Sequence, residues 1–335
     1  MKNPLVSIIM PVKNTAQFLN ECMDSILNQT YKKWELLAID DGSMDNSLAI
    51  LTKYSKQDNR IKVFKNNRKG IIEALRLAYS KSSGEFISRM DSDDIMTEDK
   101  LTVLSGNLLN AGQGNIATGL VQYFSEKALG DGFKNYENWL NNLTARGSNF
   151  TAIYKECVIP SPCWMAYRED LEKCDAFNPN NYPEDYDLVF RFYLNGLKII
   201  PCDKILHHWR DYATRTSRTD ENYADNTFIK IKAHYFLTLD YNQNKNLVLW
   251  GAGKKGKSLA QILIKKEIKF YWICDNPKKI GKHIYDQKML SFTELEYIDN
   301  AQSIVTVANS NAQEEIKKHF KALGKVANED YFFFC

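Results

Sequence analysis

The sequence holds no apolar run near the roughly 20 residues needed to span a bilayer. Its seven cysteines (22, 157, 163, 174, 202, 274 and 335) contain no C-x-x-C pair. Scattered thiols in an odd number argue against a disulfide framework and against a zinc site, and they fit reduced, mostly core cysteines in a cytoplasm. An excess of one charge sign is also missing. Forty-four Lys and Arg against 41 Asp and Glu leave +3, too little to make nucleic acid or an anionic membrane the main partner. The opening M-K-N-P-L-V-S-I-I-M-P is broken by Pro11 too soon for a secretory signal and alternates like a first strand. A cytoplasmic protein is expected. What is present is 335 residues, 44% apolar and 25% charged, which is ordinary for a globular chain and long enough for two domains.

The chain is organised around Glu85–Asp94, E-F-I-S-R-M-D-S-D-D, where an apolar strand runs into Asp91, Ser92, Asp93 and Asp94. Three carboxylates in four residues repel one another. A hard cation such as Mg²⁺ or Mn²⁺ removes that repulsion; the competing reading is an acidic turn capping a helix that begins near Thr97. Upstream, Leu5–Val12, Trp34–Ile39 and Ile61–Phe64 read as strands. Helices over Ala16–Gln29, from Asp45 or Asn46 to Tyr54, and over Gly70–Ser80 lie between them. This alternation predicts an α/β, doubly wound, mostly parallel sheet. Ligands bind such sheets at the carboxyl ends of the strands. Asp40-Asp41 falls there together with the D-S-D-D turn, which favours a metal or nucleotide site over surface decoration.

Three segments, V-S-I-I-M-P-V-K-N, L-L-A-I-D-D-G-S-M-D-N-S and S-G-E-F-I-S-R-M-D-S-D-D, resemble in order and spacing the family 2 glycosyltransferases of GT-A fold, over about the first 220 residues. The resemblance implies inverting transfer of a sugar from a nucleoside diphosphate sugar. It places Pro11 beside the nucleobase and ribose, Asp40 and Asp41 on the base, and Asp91 and Asp93 in a D-x-D motif. Of these two, one faces the ribose and the other holds Mn²⁺ or Mg²⁺. Arg89 and the Arg68-Lys69-Gly70 turn become candidate contacts to the nucleotide or diphosphate, although a solvated loop explains Arg68 and Lys69 as well.

Ile116–Phe124 reads as one strand. Aromatics at helical spacing from Phe133 to Leu140 suit a core more than a sugar platform. Further on, Y-P-E-D-Y-D-L opens an amphipathic helix. Acidic residues in a first turn complement the helix dipole, but Glu184-Asp185 also matches the family's catalytic acidic pair, with Asp185 as general base. In H-H-W-R-D-Y-A-T-R-T-S-R, Arg210, Arg215 and Ser217 would cradle the leaving diphosphate. Relatives carry a metal-binding His where Tyr212 stands, so His207 and His208 are considered as substitutes, with packing the more ordinary role for such a pair.

After a polar linker at 240–245, residues 246–335 form a second domain, the first taking 1–239. Gly251, Gly253 and Gly256 make a G-x-G-x-x-G turn between a strand and a helix, with Asp275 near the spacing expected for a ribose contact. This resembles the small Rossmann-like domains of sugar-handling enzymes. It is read as a second nucleotide or sugar-phosphate site, or equally as a remnant used for packing or for homo-oligomer contacts. The whole implies a metal-dependent glycosyltransferase taking a nucleotide sugar, UDP-linked by expectation. The acceptor would be a saccharide or lipid-linked saccharide of bacterial surface polysaccharide or glycoconjugate synthesis. Peripheral contact with the inner face of the membrane is compatible with such acceptors, yet no basic amphipathic helix supports it. A nucleotidyltransferase and a nucleotide-sensing protein with an inactive transferase domain are the rivals.

Overall fold

The computed structural model describes residues 3–126, 129–215, 218 and 228–335. The chain divides into two compact units, residues 1–150 with 158–220, and residues 151–157 with 221–335. In chain order the first unit contains β1 (Val6–Val12), α1 (Ala16–Leu27), β2 (Trp34–Asp40), α2 (Ser47–Gln57), β3 (Ile61–Lys65), α3 (Ile71–Lys81), β4 (Phe86–Arg89) and β5 (Ile95–Met96). It continues with α4 (Lys100–Ala111), β6 (Asn115–Thr118), β7 (Leu120–Phe124), α5 (Asp131–Arg146), β8 (Trp164–Tyr167), α6 (Arg168–Lys173), α7 (Glu184–Leu194), β9 (Lys198–Ile200) and β10 (Ile205–Arg210).

The main sheet has the order β3-β2-β1-β4-β8-β6-β9. Its first four strands are parallel, and β8 runs antiparallel between β4 and β6. Every residue of β2 is buried, as expected of a central parallel strand covered on both faces. One charge in it is satisfied locally. Glu35 accepts hydrogen bonds from Ser7 Oγ (2.6 Å), Ser83 N (2.6 Å) and Lys62 Nζ (2.7 Å). Burial works against its ionisation, but these donors hold its carboxyl down at about 2.

The single strand expected over 116–124 is two strands in two sheets. At Gly119 the chain leaves the main sheet for a three-stranded one of order β5-β10-β7. A Cβ at Gly119 would lie 2.5 Å from the Leu206 side chain, so β10 crosses where only glycine fits. Phe133, Tyr136 and Trp139 of α5 pack against the main apolar cluster, which makes them core, as their spacing suggested.

The second unit contains α8 (Ile229–Leu239), β11 (Asn246–Trp250), α9 (Lys254–Lys265), β12 (Tyr271–Cys274), β13 (His283–Ile284), β14 (Gln287–Ser291), β15 (Ala301–Val305), α10 (Ser310–Ala322) and β16 (Tyr331–Phe333). Its sheet has the order β13-β14-β12-β11-β15-β16, parallel except for the β13–β14 hairpin. This is a small Rossmann-like arrangement, with the chain reversing direction across the sheet on either side of β11. The expected boundaries need correction. Helix α8 belongs to the second unit, where the Phe236 ring meets Phe332 at 5.1 Å and Phe334 at 5.7 Å. The 240–245 stretch is not a free linker either. Asp240 O and Asn242 N both bond the side chain of buried Gln302, and Asp240 accepts from the Tyr154 hydroxyl. Among the described residues no helix is long and apolar enough to cross a membrane.

Candidate active site

Parallel pairing of β2, β1 and β4 brings their carboxyl ends to one edge, with Val12 opposite Asp40, and Ile9 opposite Arg89. Pro11 lies within β1 beside Ile39. The loops that follow brace each other. Asn14 N donates to Ser43 Oγ and Thr15 N to Ser47 Oγ, and Asn14 Oδ1 accepts from Met44 N. Asp40 is buried and accepts from Ser43 N. The Asp41 carboxylate accepts from Asn66 Nδ2 (2.6 Å), Gly70 N (3.0 Å) and Lys13 Nζ (3.3 Å), so its own work is to shape the 66–70 turn. Gly70 sits there at φ +103°, and a Cβ on it would come within 3.5 Å of the Tyr182 hydroxyl. The turn that Asp41 holds and the segment leading into Glu184-Asp185 therefore meet. Arg68 is exposed and pairs with Glu73 at 3.4 Å, in keeping with a solvated loop.

The D-S-D-D turn follows β4, and each of its side chains has a different partner. Asp91 accepts from Arg89 Nε (3.0 Å) and Ser161 Oγ (3.3 Å). Burial pushes its carboxyl up, but the Arg89 and Arg215 guanidinium groups outweigh it and hold it below the usual range. Ser92 accepts from Thr15 Oγ1. Asp93 accepts from the Tyr212 hydroxyl at 2.8 Å, and burial with neighbouring Asp94 raises its carboxyl to about 7. Asp94 turns inward to His207 Nε2 (3.0 Å) and Arg210 N (2.8 Å).

Arg89 is the side chain that joins the two acidic motifs. It is 5% exposed. Its Nε bonds Asp91 and its Nη1 bonds Glu184 Oε1, both at 3.0 Å. Glu184 is the first residue of α7, whose first turn also carries Asp185 and Asp187. Asp187 is structural, paired with Arg191 at 2.8 Å. Asp185 is partly exposed, and its Oδ1 accepts only its own neighbour's amide, Tyr186 N, at 2.8 Å among the bonds resolved. Burial, then the adjacent Glu184, push its carboxyl up to about 7. A carboxyl poised near neutrality has the pKa that a general base requires.

The arginine-rich stretch divides in a way that its sequence did not reveal. Arg210 is not available as a diphosphate cradle. Its guanidinium lies between the Phe18 and Phe124 rings, 4.6 and 4.4 Å from their centroids, bonds Asp93 O at 2.7 Å and pairs with Glu21. Arg215 stands 5.0 Å from the Trp209 ring centre. Its charge is favoured, against burial, by Asp94, Tyr123, Asp93 and Asp91 in turn. Ser217 lies outside the described residues. His207 is buried on Asp94 and Lys100, and His208 packs edge-on to Phe124 at 6.4 Å. Among the described residues no three His, Cys, Asp or Glu side chains gather as a ready-made metal cage. Tyr212, noted in the sequence only as a departure, is a direct partner of Asp93, while Ser161 and Lys100 carried no sequence signal at all. A lysine just after an acidic helix start looks like any surface lysine.

In the second unit, Gly251 (φ +118°) and Gly256 serve close packing. A Cβ on Gly256 would stand 2.1 Å from Gly251 O. Lys279 of the turn after β12 donates to Ala252 O at 2.7 Å. Gly253 has open space around its Cα, and Asp275 is exposed at the end of β12. Gly256→Ala is expected to cost about 1–3 kcal/mol through overpacking, read as a lowered unfolding midpoint in urea. An unchanged midpoint would show that the turn yields.

An α/β sheet with D-S-D-D and Glu-Asp joined at its carboxyl edge has the organisation of a nucleotide-sugar transferase. Residues 7–175 match the model of glycosyl transferase family 2, and the chain belongs to that family. It is 41% identical over 224 residues to the glycosyltransferase GlyG of Streptococcus pneumoniae serotype 4, covering 64% of this chain and 74% of that protein. It is 43% identical over 264 residues to WfgD of Escherichia coli, named as a UDP-Glc:α-D-GlcNAc-diphosphoundecaprenol β-1,3-glucosyltransferase, covering 73% of this chain and 89% of WfgD. Staphylococcus aureus TarS 1–349, solved with UDP-GlcNAc, shares the fold at a TM-score of 0.57 and 19% identity, over 77% of this chain and 71% of that one.

Proposed function

We propose that this glycosyltransferase moves a sugar, with inversion, from a UDP-sugar to a hydroxyl of a saccharide acceptor carried on a lipid diphosphate. The observation that carries the reading is the Arg89 bridge, which ties the donor motif at Asp91 to Glu184 and so sets Asp185 beside it. An acceptor hydroxyl attacks poorly unless a placed carboxylate takes its proton as the new bond forms, and Asp185 is that base. Glu184, bonded to Arg89, positions it. The names of WfgD and of the TarS complex support UDP as the nucleotide, and WfgD's name supports the lipid-linked acceptor.

A divalent cation fits the donor set. Mg²⁺ and Mn²⁺ sites of this kind use one or two carboxylates plus substrate phosphates, and Asp93 with Asp91 offers such a pair. The upward push on Asp93 from burial and Asp94 is the like-charge crowding that a cation relieves. When bound, the ion would neutralise charge developing on the departing diphosphate. Arg215, close to the same carboxylates, supplies further positive charge there, and Tyr212 fixes which Asp93 oxygen is turned away. Asp93→Ala is expected to abolish the Mn²⁺ dependence of UDP binding in calorimetry; an unaltered metal dependence would remove Asp93 as a ligand. The glycine-rich turn of the second unit remains a candidate phosphate contact through Gly253, the open glycine of the three.

Incubation with UDP-glucose, UDP-GlcNAc or GDP-mannose, Mn²⁺ and a polyprenyl-diphosphate saccharide tests the whole. Release of UDP dependent on the acceptor is expected. Absence of both nucleotide binding and release would leave the rival reading, an inactive transferase domain.

A further inference from the structure

Beneath the D-S-D-D turn lies a buried polar chain that the proposed chemistry does not use. Lys100, the first residue of α4, is fully buried. Its Nζ donates to Pro162 O at 2.5 Å and lies 3.1 Å from His207 Nδ1. The other ring nitrogen of fully buried His207, Nε2, is 3.0 Å from Asp94 Oδ2, and Asp94 Oδ1 accepts from Arg210 N at 2.8 Å. An ammonium group can only donate, so His207 Nδ1 is the acceptor and the ring proton sits on Nε2, pointing at Asp94. Burial and the Lys100 charge hold the imidazole in its neutral form. Only the neutral ring can accept at one nitrogen and donate at the other.

The same Lys100 reaches the other side of the motif. Pro162, whose carbonyl it binds, follows Ser161, whose hydroxyl donates to Asp91 Oδ2. One buried cation thus supports Asp94 through His207 and Asp91 through the 161–162 segment. A buried ammonium is costly unless charge and hydrogen bonds compensate it. Folding alone would place an apolar residue there more cheaply.

We propose that Lys100 and His207 are positioning residues, a buried Lys–His–Asp94 relay that sets the D-S-D-D turn so that Asp91 and Asp93 present their carboxylates together to the cation-bound diphosphate. The proposal rests on the donor-site reading given above and adds residues that touch neither nucleotide nor metal. The order of acceptor and donor along the relay is its specific content. A Gln in place of His207 keeps that order through its amide, while Leu fills similar space and keeps neither function.

The test is UDP affinity with and without Mn²⁺, by calorimetry, on the full chain. Wild-type protein must bind UDP, or the donor-site reading itself fails. Lys100→Met and His207→Leu are expected to weaken Mn²⁺-dependent UDP affinity at least tenfold while remaining folded by circular dichroism, and His207→Gln to recover most of that loss. Affinities for Lys100→Met and His207→Leu within twofold of wild type would overturn the relay. If those variants do not fold, or UDP does not bind, ¹⁵N shifts of the wild-type histidines decide separately. A neutral Nε2–H tautomer of His207 that persists from pH 8 to pH 5 is expected. An Nδ1–H tautomer or a titrating ring would refute the arrangement.

Discussion

Asp185→Asn is expected to lower turnover by about 10²–10⁴-fold, or roughly 3–5 kcal/mol of barrier, with UDP affinity nearly unchanged. Asn keeps the shape and the bond to Tyr186 N but cannot accept the acceptor's proton. A loss below tenfold in steady-state UDP release would remove Asp185 from the mechanism. The pH dependence adds a second check. Burial and Glu184 hold Asp185 near 7, and a base works only when ionised. The wild-type rate should fall about tenfold per pH unit below that point and level off above it, and the Asn variant should lose this limb. Stability should move in the opposite sense. A carboxyl whose folded pKa is raised from 3.8 favours the folded state fully below pH 4, and that contribution is lost as pH rises through 7. Asp185→Asn should therefore melt higher than wild type at pH 8, the pattern of a group kept for chemistry and not for folding.

Arg89→Met is expected to have the largest effect on stability, about 3–5 kcal/mol, because it strands two carboxylates that share one buried guanidinium. The double variant Arg89→Met/Glu184→Met should recover part of this, since it removes one of the two stranded carboxylates and leaves only Asp91 without its guanidinium, and Arg89→Lys should likewise rescue only in part. A single ammonium lacks the fork that touches Asp91 Oδ1 and Glu184 Oε1 at once. Urea midpoints of wild type, Arg89→Met, Glu184→Met and the double variant form the cycle, with Arg89→Lys measured beside it. A loss under 1 kcal/mol in Arg89→Met would mean that solvent screens the pair and that it does not hold the two motifs together.

Much of this was legible in the sequence where the residue type admits few readings. The largely apolar runs of β1 and β2, interrupted by Ser7 and by Glu35, suit parallel strands buried on both faces, and carboxylates at the ends of β2 and β4 pointed to the strands' carboxyl edge. What was hidden concerns partners distant in sequence. Arg89 looked like a phosphate contact because nothing local shows that its fork will meet Glu184, 95 positions later. Arg210 read as part of an anion cradle because the sandwiching rings of Phe18 and Phe124 come from α1 and β7. The break at Gly119 was invisible because both flanking strands are apolar; only the crossing Leu206 side chain makes the glycine necessary. Helix α8 fell on the wrong side of the expected boundary because the polar 240–245 stretch that follows it reads as a linker, and only the Phe332 and Phe334 rings show that the helix packs with what comes after.

That last helix and the short 151–157 segment bear on how the protein can be cut or exchanged. Tyr154 stacks on Phe334 at 5.2 Å and meets Phe236 at 5.7 Å, so the smaller unit borrows a piece of polypeptide separated from the rest of it by residues 158–220 of the larger unit. A fragment ending at 239 would carry a greasy helix without its mates, and one starting at 246 would lack both the helix and the tyrosine. On the ribosome, Tyr154 is made long before Phe332 and Phe334, so that side of its ring is covered late, and the 151–157 segment closes as a clasp, not as part of a separable cassette.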